Sequence, residues 1–348
     1  MPERSLPRVS VIVPCRNEEA FIRPCLERIL ASTYPLDRLE ILVADGRSDD
    51  ATRAIVTELA ARHPHLRLLD NPLRITPAAL NIAIRAARGE IIVRMDAHAY
   101  FPPDYIARLV AALEETGADV VGGAIDTRPA NATATAQAIA LAMRHPFGVG
   151  NSSFRIGTAG RRQVDHVPFF ACHRALFDRV GHFDEELVRN QDGEFSSRVC
   201  RQGGRIVLIP EARAEYFARD SLGKLARMFF QYGYYKVLTA HKVGRVMTVR
   251  QVVPPAFLLA LVTSAVTAIW VPVSGYLFLG LLAAYAAAVT AASLHAARGR
   301  AERSTAVLFA VFPIMHFGHG IGQLRRACEL MLPARHQPRD AELVPLSR

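Results

Sequence analysis

Two apolar runs near the C-terminal end constrain this chain more than any other feature. From Val252 to Val273, and again from Gly275 to Leu294, no charged residue interrupts the sequence. At ~1.5 Å of rise per residue, either run is long enough as a helix to cross a hydrocarbon layer of ~30 Å. Neither has a polar face, which argues against two buried helices of a soluble core. Spans are therefore predicted near 252–273 and 275–295. A third stretch, Ala306 to Ile321, is shorter, holds Pro313, His316 and His319, and is followed by Arg325 and Arg326. It is read as a third membrane-embedded helix near 305–324, spanning or re-entrant.

Charge supports this reading. Lys224, Arg227, Lys236, Lys242, Arg245 and Arg250 precede the first run, and Arg298, Arg300 and Arg303 follow the second. That is the positive-inside pattern, with the uncharged Ser274-Gly275 turn outside. Met1 to Arg8 lacks the apolar region of a secretory signal, so the N-terminal part is expected in the cytosol and the protein in the cytoplasmic (inner) membrane as a multi-pass chain. The net charge of +10 then points to anionic lipid surface. No zinc-finger spacing, recognition-helix pattern or base-stacking motif occurs, so nucleic acid is not an expected partner. The five cysteines show no Cys-x-x-Cys pair and read as reduced thiols.

The first two hundred residues alternate strand and helix. Val9 to Pro14 is a β-branched run, Glu18 to Leu30 has helical apolar spacing, Glu40 to Ala44 is a strand and Asp50 to Arg62 a helix. Leu66 to Leu69 (strand), Pro77 to Ala87 (helix) and Glu90 to Val93 (strand) follow. Such alternation builds βαβ units around a mainly parallel, Rossmann-like sheet, with ligands at the carboxyl ends of the strands. Those ends carry Arg16-Asn17-Glu18-Glu19, Asp45-Gly46-Arg47-Ser48-Asp49-Asp50, Asp70-Asn71-Pro72 and Asp96-Ala97-His98. Each suits a turn or a helix cap by itself. Four acidic ends along one edge describe a cleft for a nucleotide, a ribose and a metal. In Asp96-Ala97-His98 two potential ligands one residue apart leave the same face of the backbone. A carboxylate with substrate phosphates suits Mg2+, and an imidazole in second place admits Mn2+. No Gly-x-Gly-x-x-Gly or Gly-x-x-x-x-Gly-Lys-Ser/Thr occurs, which argues against a dinucleotide dehydrogenase and a P-loop enzyme.

The ordered series Val11-Ile12-Val13-Pro14-Cys15-Arg16-Asn17-Glu18, Val43-Ala44-Asp45-Gly46-Arg47-Ser48-Asp49-Asp50, Ala79-Leu80-Asn81 and Asp96-Ala97-His98 resembles the family 2 glycosyltransferases. These are inverting enzymes of the GT-A fold that use nucleotide-activated sugars. The likeness continues through Val164 to Phe169, Gly181 to Glu185, Arg189 to Phe195 and Gln231 to Lys236, and there resembles the membrane-bound succinoglycan-biosynthesis type of glucosyltransferase. It covers roughly residues 8 to 326.

The resemblance implies a nucleotide-sugar donor, UDP-linked glucose being the expected one, and a polyprenyl-linked saccharide acceptor. Pro14, Asn17 and Glu18 would line the uridine site, Asp45 would take the uracil edge, and Asp70 would close the pocket with Asn81 nearby. Asp96 would bind the metal bridging the diphosphate, with His98 where the family more often has a second Asp. Asp192 matches the family's catalytic Asp, while Gln191 replaces its usual Glu neighbour and removes a like charge beside it. A carboxylate within reach of an acceptor hydroxyl is a suitable base; capping of the helix through Phe195 is the other reading of Asp192. Arg155, Arg161 and Arg162, in and just after the Gly/Ser-rich stretch Gly148 to Gly160, are a lid over the donor or a solvated basic loop. Gln231, Tyr232 and Lys236 are further acceptor-side candidates.

The expected organisation is a cytosolic GT-A domain over 1–220, amphipathic interface helices over 221–250, a transmembrane region over 251–326 and a tail over 327–348. Phe229, Phe230, Tyr232, Tyr234 and Tyr235 would lie at headgroup level, with core packing as the alternative. The Gln-x-x-Arg-Trp signature of processive synthases is missing, the sole tryptophan being Trp270, so one sugar is expected per encounter. A polyprenyl-phosphate sugar synthase and a catalytically silent membrane scaffold remain as alternative readings.

Overall fold

The computed structural model describes residues 6–150, 152–244, 249–299 and 302–332. Arg245, Arg300 and the tail from 333 onward lie outside the described residues. The chain divides into two units: one runs to Asp126 and resumes from Ser153 to Tyr216, and the other takes Thr127–Ser152 and the chain from Phe217 onward.

In the first unit β1 (Val9–Cys15), α1 (Ile22–Leu30), β2 (Leu39–Asp45), α2 (Thr52–Arg62), β3 (Leu66–Asp70), α3 (Thr76–Ala86) and β4 (Ile91–Arg94) follow the expected alternation. Val11, Ile12, Val13, Ile41, Leu42 and Val43 are fully buried, as continuous apolar runs must be in parallel strands covered on both faces. Helix α1 buries Ile22, Cys25, Leu26 and Ile29, the i, i+3, i+4, i+7 stripe that faces a helix onto a sheet. Next come β5 (Ala99–Tyr100), α4 (Tyr105–Thr116) and β6 (Val120–Arg128). Gly117, at φ 57°, closes α4 in the left-handed conformation that glycine adopts without cost.

The order along the sheet is β3-β2-β1-β4, continued by strands still to come in the sequence. The four are mutually parallel. After α5 (Ala134–Ala142) and α6 (Pro146–Val149), which belong to the second unit, the chain returns through α7 (Ser153–Ile156), β7 (Arg162–Val164), β8 (Phe170–His173), α8 (Leu176–Val180), α9 (Gln191–Arg201) and β9 (Ile206–Phe217). Strand β8 joins β4 and β6 antiparallel, and β9 takes β5 and β7 antiparallel. This α/β arrangement is the expected GT-A-like fold. Ile12, Leu42, Leu80, Ile84, Ile92, Phe170, Phe177, Phe183, Phe195 and Leu208 form its core.

The second unit is helical: α5, α6, α10 (Leu222–Val243), α11 (Val253–Thr267), α12 (Pro272–Ala296) and α13 (Glu302–Met331). Among the described residues two helices are long and apolar enough to cross a membrane, Pro272–Ala296 and Arg303–Met331. The first expected span is shorter than its sequence suggested. Helix α11 has 15 residues, ~22 Å at ~1.5 Å each, because a 3-10 turn at Val249–Val252 precedes it and a turn before Pro272 ends it. The third stretch is longer than expected and forms one helix of 30 residues through Pro313. Tyr276, Leu277, Leu279 and Leu282 of α12 lie on the outer surface, an apolar area larger than a water-soluble unit normally exposes.

Helix α10 corrects the expectation of a headgroup-level aromatic face. Tyr234 and Tyr235 are buried, as are Phe229 and Gln231, because α10 packs lengthwise on α13. A Cβ at Gly322 would fall 2.1 Å from the carbonyl oxygen of Phe230, and one at Gly233 2.0 Å from that of His319. The two backbones approach this closely only because glycine stands at both crossings. Arg326 is buried beside Tyr234, donating to its hydroxyl at 2.9 Å, while that hydroxyl donates to Glu329 at 2.5 Å. Arg325 and Arg326 thus belong to the last turns of α13, where Glu329 partners both. Segment 127–152 joins this unit through Ser304 Oγ, which donates to Gln137 Oε1 at 2.9 Å, and through the 2.7 Å hydrogen bond between His316 Nε2 and the carbonyl of Phe147.

Candidate active site

Parallel register brings the acidic strand ends into line. Cys15 stands opposite Asp45, and Asp45 opposite Asp70, while Ile12 stands opposite Arg94. The loops beyond β1 and β2 are knitted together. The backbone N–H of Asn17 donates to Ser48 Oγ at 2.8 Å, that of Asp49 to Asn17 Oδ1 at 2.9 Å, and that of Glu18 to Thr52 Oγ1 at 2.8 Å. Asn17, at φ 54°, makes the tight turn, a conformation asparagine tolerates. Pro14 sits on the strand just before it, opposite Ala44.

Asp45 is fully buried and already engaged. It accepts from the backbone N–H of Ser48 at 3.1 Å, from the Ser48 hydroxyl, and from Arg53 Nη1 at 2.8 Å. These bonds fix the loop between β2 and α2 around the Asp45 carboxylate. Arg53 also reaches Asp70 at 3.2 Å, and Arg47 does so at 3.1 Å. The Arg47 guanidinium holds the Asp70 carboxyl below its usual range, with Arg53 adding to the effect. Asn81 is committed elsewhere. Its Nδ2 donates to the Phe183 carbonyl at 2.9 Å and to Glu185 at 2.8 Å, and its Oδ1 accepts from the Phe183 N–H at 2.9 Å.

The turn after β4 carries the expected metal pair. Asp96 and His98 are each held by a different residue. Arg94 donates through Nε to Asp96 Oδ1 at 2.9 Å and through Nη2 to Asp96 Oδ2 at 3.2 Å. His98 Nδ1 is 2.9 Å from Glu18 Oε1, and its ring meets Tyr216 edge-on at 5.7 Å between centroids. Tyr216 lies opposite Ala99 in the β5–β9 pair and carries the Arg155 guanidinium over its face at 4.9 Å. Glu18, His98, Tyr216 and Arg155 thus form a continuous row.

Asp192 lies in the first turn of α9, with Asn190, at φ 64°, at the N-cap, so it is not the capping residue. Its Oδ1 accepts from Arg94 Nη1. Three residues on, Phe195 anchors the helix among Phe183, Phe177 and Phe170 at centroid distances of 4.8, 5.3 and 5.9 Å. Arg198, gripped by Glu194, clasps the carbonyl of His182 at 2.7 Å. The neighbouring Gln191 is buried. Arg94 itself is 4% exposed. Burial disfavours its charge, but the carboxylates of Asp192 and Asp96 outweigh that and keep the guanidinium protonated.

Arg94 is the residue that sequence reasoning missed. A lone arginine ending an apolar strand, on the same face as Asp96 two residues later, was the available signal. Arg161 is paired with Glu115 at 2.6 Å and Glu211 at 2.5 Å, and Arg162 is exposed at the start of β7, so of the three proposed lid arginines only Arg155 joins the row at His98. Gln231, Tyr232 and Lys236 belong to α10 in the second unit, where Gln231 is buried.

The donor set can be tested against a divalent cation. Among the described residues no group of three or more His, Cys, Asp or Glu side chains is placed to close around an ion. Asp96 and His98 fit a cation shared with substrate phosphates, which needs one or two protein ligands rather than a cage. A carboxylate on Nδ1 of a ligating histidine, as Glu18 stands to His98, is a common support for such a ligand.

Comparison with known proteins gives concordant likenesses. A profile of Glycosyl transferase family 2 matches residues 10–182. Succinoglycan biosynthesis protein ExoA of Rhizobium meliloti is 33% identical over 248 residues, 71% of this chain and 74% of that protein. A dolichyl N-acetyl-alpha-D-glucosaminyl phosphate 3-beta-D-2,3-diacetamido-2,3-dideoxy-beta-D-glucuronosyltransferase of Methanococcus voltae is 28% identical over 241 residues, 67% of this chain and 74% of that one. Mannosyltransferase PcManGT of Pyrobaculum calidifontis, solved with GDP-Man and Mn2+, superposes with a TM-score of 0.59 at 22% identity, covering 93% of this chain and 88% of its own.

Proposed function

Because the chain belongs to glycosyl transferase family 2, we propose that it transfers a hexose, with inversion, from a nucleoside diphosphate sugar to a lipid-linked saccharide in the assembly of a cell-envelope or exported glycan. One observation carries the reading: Asp96 and Asp192, 96 residues apart in sequence, are bound to the same buried guanidinium. Inverting transfer needs two such groups close together, one at the departing diphosphate and one at the incoming hydroxyl.

In the proposed reaction the acceptor hydroxyl attacks the anomeric carbon while Asp192 takes its proton, and the bond from that carbon to the diphosphate breaks. A positioned carboxylate base contributes typically ~100- to 10,000-fold. The loops carrying Pro14, Asn17, Glu18, Asp45 and Asp70 hold the nucleotide, with Arg47 and Arg53 as cationic groups on that edge. Asp96 and His98 are the proposed holders of Mg2+ or Mn2+, and a cation there would act as a Lewis acid on the leaving diphosphate. Arg155 is placed to add a second positive charge. UDP-glucose is the first donor to test.

Helices α12 and α13 support a membrane-bound enzyme and therefore a polyprenyl-carried acceptor, and the basic residues Lys224, Arg227 and Lys242 between the catalytic unit and α11 support a cytosolic catalytic unit. The test is nucleotide release by purified membranes given UDP- or GDP-sugars, with and without a lipid-linked saccharide. Release that requires the saccharide supports this reading. Release with polyprenyl phosphate alone favours a polyprenyl-phosphate sugar synthase, and no release with any donor favours a silent scaffold.

A further inference from the structure

We propose that Arg94 is a positioning residue that fixes Asp96 and Asp192 in register and whose permanent charge keeps Asp96 from capturing a divalent cation before a diphosphate arrives. The inference rests on the transfer reading above. It starts from the strand. Arg94 is the last residue of β4, its backbone registered opposite Ile12, so its root is held in the sheet. From there Nε and Nη2 meet both oxygens of Asp96, at 2.9 and 3.2 Å, and such a two-point contact fixes the plane of the guanidinium. The remaining Nη1 donates to Asp192. Any shift of the fork moves both carboxylates together.

Its charge has a second effect. A divalent cation approaching Asp96 alone meets a guanidinium already bonded to the same carboxylate, shielded from water and therefore repulsive at short range. A nucleoside diphosphate brings negative charge of its own and reverses that balance. Cation and donor are then taken up together, and the ion does not sit idle between turnovers. A lysine at this position would keep the charge but offers no planar fork, so it could not serve both acids at once.

The test uses the full chain in lipid nanodiscs. Mn2+ alone is titrated by electron paramagnetic resonance into wild type, Arg94→Met and Arg94→Lys, and kcat and donor KM are measured on the same samples. Arg94→Met is expected to bind free Mn2+ about tenfold or more tighter while kcat falls by about 100-fold or more with a smaller change in donor KM. Arg94→Lys should return Mn2+ affinity to about the wild-type value without restoring kcat. A general loss of folding moves every readout downward, so opposite movement of Mn2+ affinity and kcat separates positioning from scaffolding. Unchanged or weaker Mn2+ binding by Arg94→Met, or no uptake by any of the three proteins, overturns the proposal. Wild type that turns over no donor sinks the transfer reading instead, while the Mn2+ titrations still decide the role of the charge.

Discussion

Replacing Asp192 by Asn tests the proposed base with little structural disturbance. The substitution removes the proton acceptor but leaves an oxygen that can face Arg94 Nη1. Asp192 is 24% exposed in its side chain, and the anchors of α9 at Phe195 and Arg198 do not depend on it. Exchanging a charge-assisted bond for one to a neutral acceptor costs about 1 kcal/mol of stability, so the fold is retained. Catalysis should suffer far more. Loss of a general base lowers kcat by ~100- to 10,000-fold, which is about 3–5 kcal/mol on the barrier at ~1.36 kcal/mol per tenfold. Donor KM should stay within about threefold, because the loops after β1, β2 and β3 proposed to hold the nucleotide are untouched. The assay is nucleotide release at saturating donor and acceptor, alongside a thermal melt of the same preparation. A kcat within about tenfold of wild type, with the fold intact, would refute the assignment and direct attention to an acceptor that needs no base.

Other perturbations report on neighbouring parts of the site. His98→Asp is expected to shift activation from Mn2+ toward Mg2+, since a hard oxygen replaces an imidazole; an unchanged preference would show that His98 does not ligate. Glu18→Gln should weaken cation affinity by ~10- to 100-fold through loss of the carboxylate on His98 Nδ1, read by Mn2+ titration with UDP present. Phe195→Ala opens the aromatic cluster under α9 and should cost about 3–5 kcal/mol of stability, seen as a lowered melting temperature together with lost activity. Gly322→Val forces α10 from α13, and should lower the melting temperature in detergent or abolish folded protein; a normal melt would contradict the close approach.

The strand–helix alternation and the strand boundaries were legible because continuous β-branched runs and the stripe of Ile22, Cys25, Leu26 and Ile29 are local signals. Expected strands at 9–14, 40–44, 66–69 and 90–93 lie within a residue of those found. Acidic strand ends were legible too, since parallel sheets present their carboxyl edges together. Partnerships were less so. That Arg94 would bind Asp192 depends on where α9 is placed by Phe195, a contact across nearly a hundred positions. The bonds of Asp45 to Ser48 and Arg53 were not legible, because they need a folded loop. The aromatic run in α10 read as an interface face because its composition suits one, whereas the glycines at 233 and 322 turn it onto α13. The first apolar run looked like a span because hydropathy does not register the turns that shorten α11.

The chain enters the helical unit twice, at Thr127 and again at Phe217, and this bears on how the enzyme can be taken apart. A soluble catalytic fragment is commonly sought by cutting before the C-terminal helices, here near residue 220. Such a cut would retain α5 but delete α13, the helix it packs against, and bare Ala136, Ala138, Ile139 and Ala142, all buried in the intact protein. The fragment would carry a raw apolar surface and aggregate in the absence of detergent. Excision of the helical bundle therefore requires three cuts, after Asp126, before Ser153 and after Tyr216, with a bridge from Asp126 to Ser153, which leaves the sheet and the Arg94 cluster in one piece.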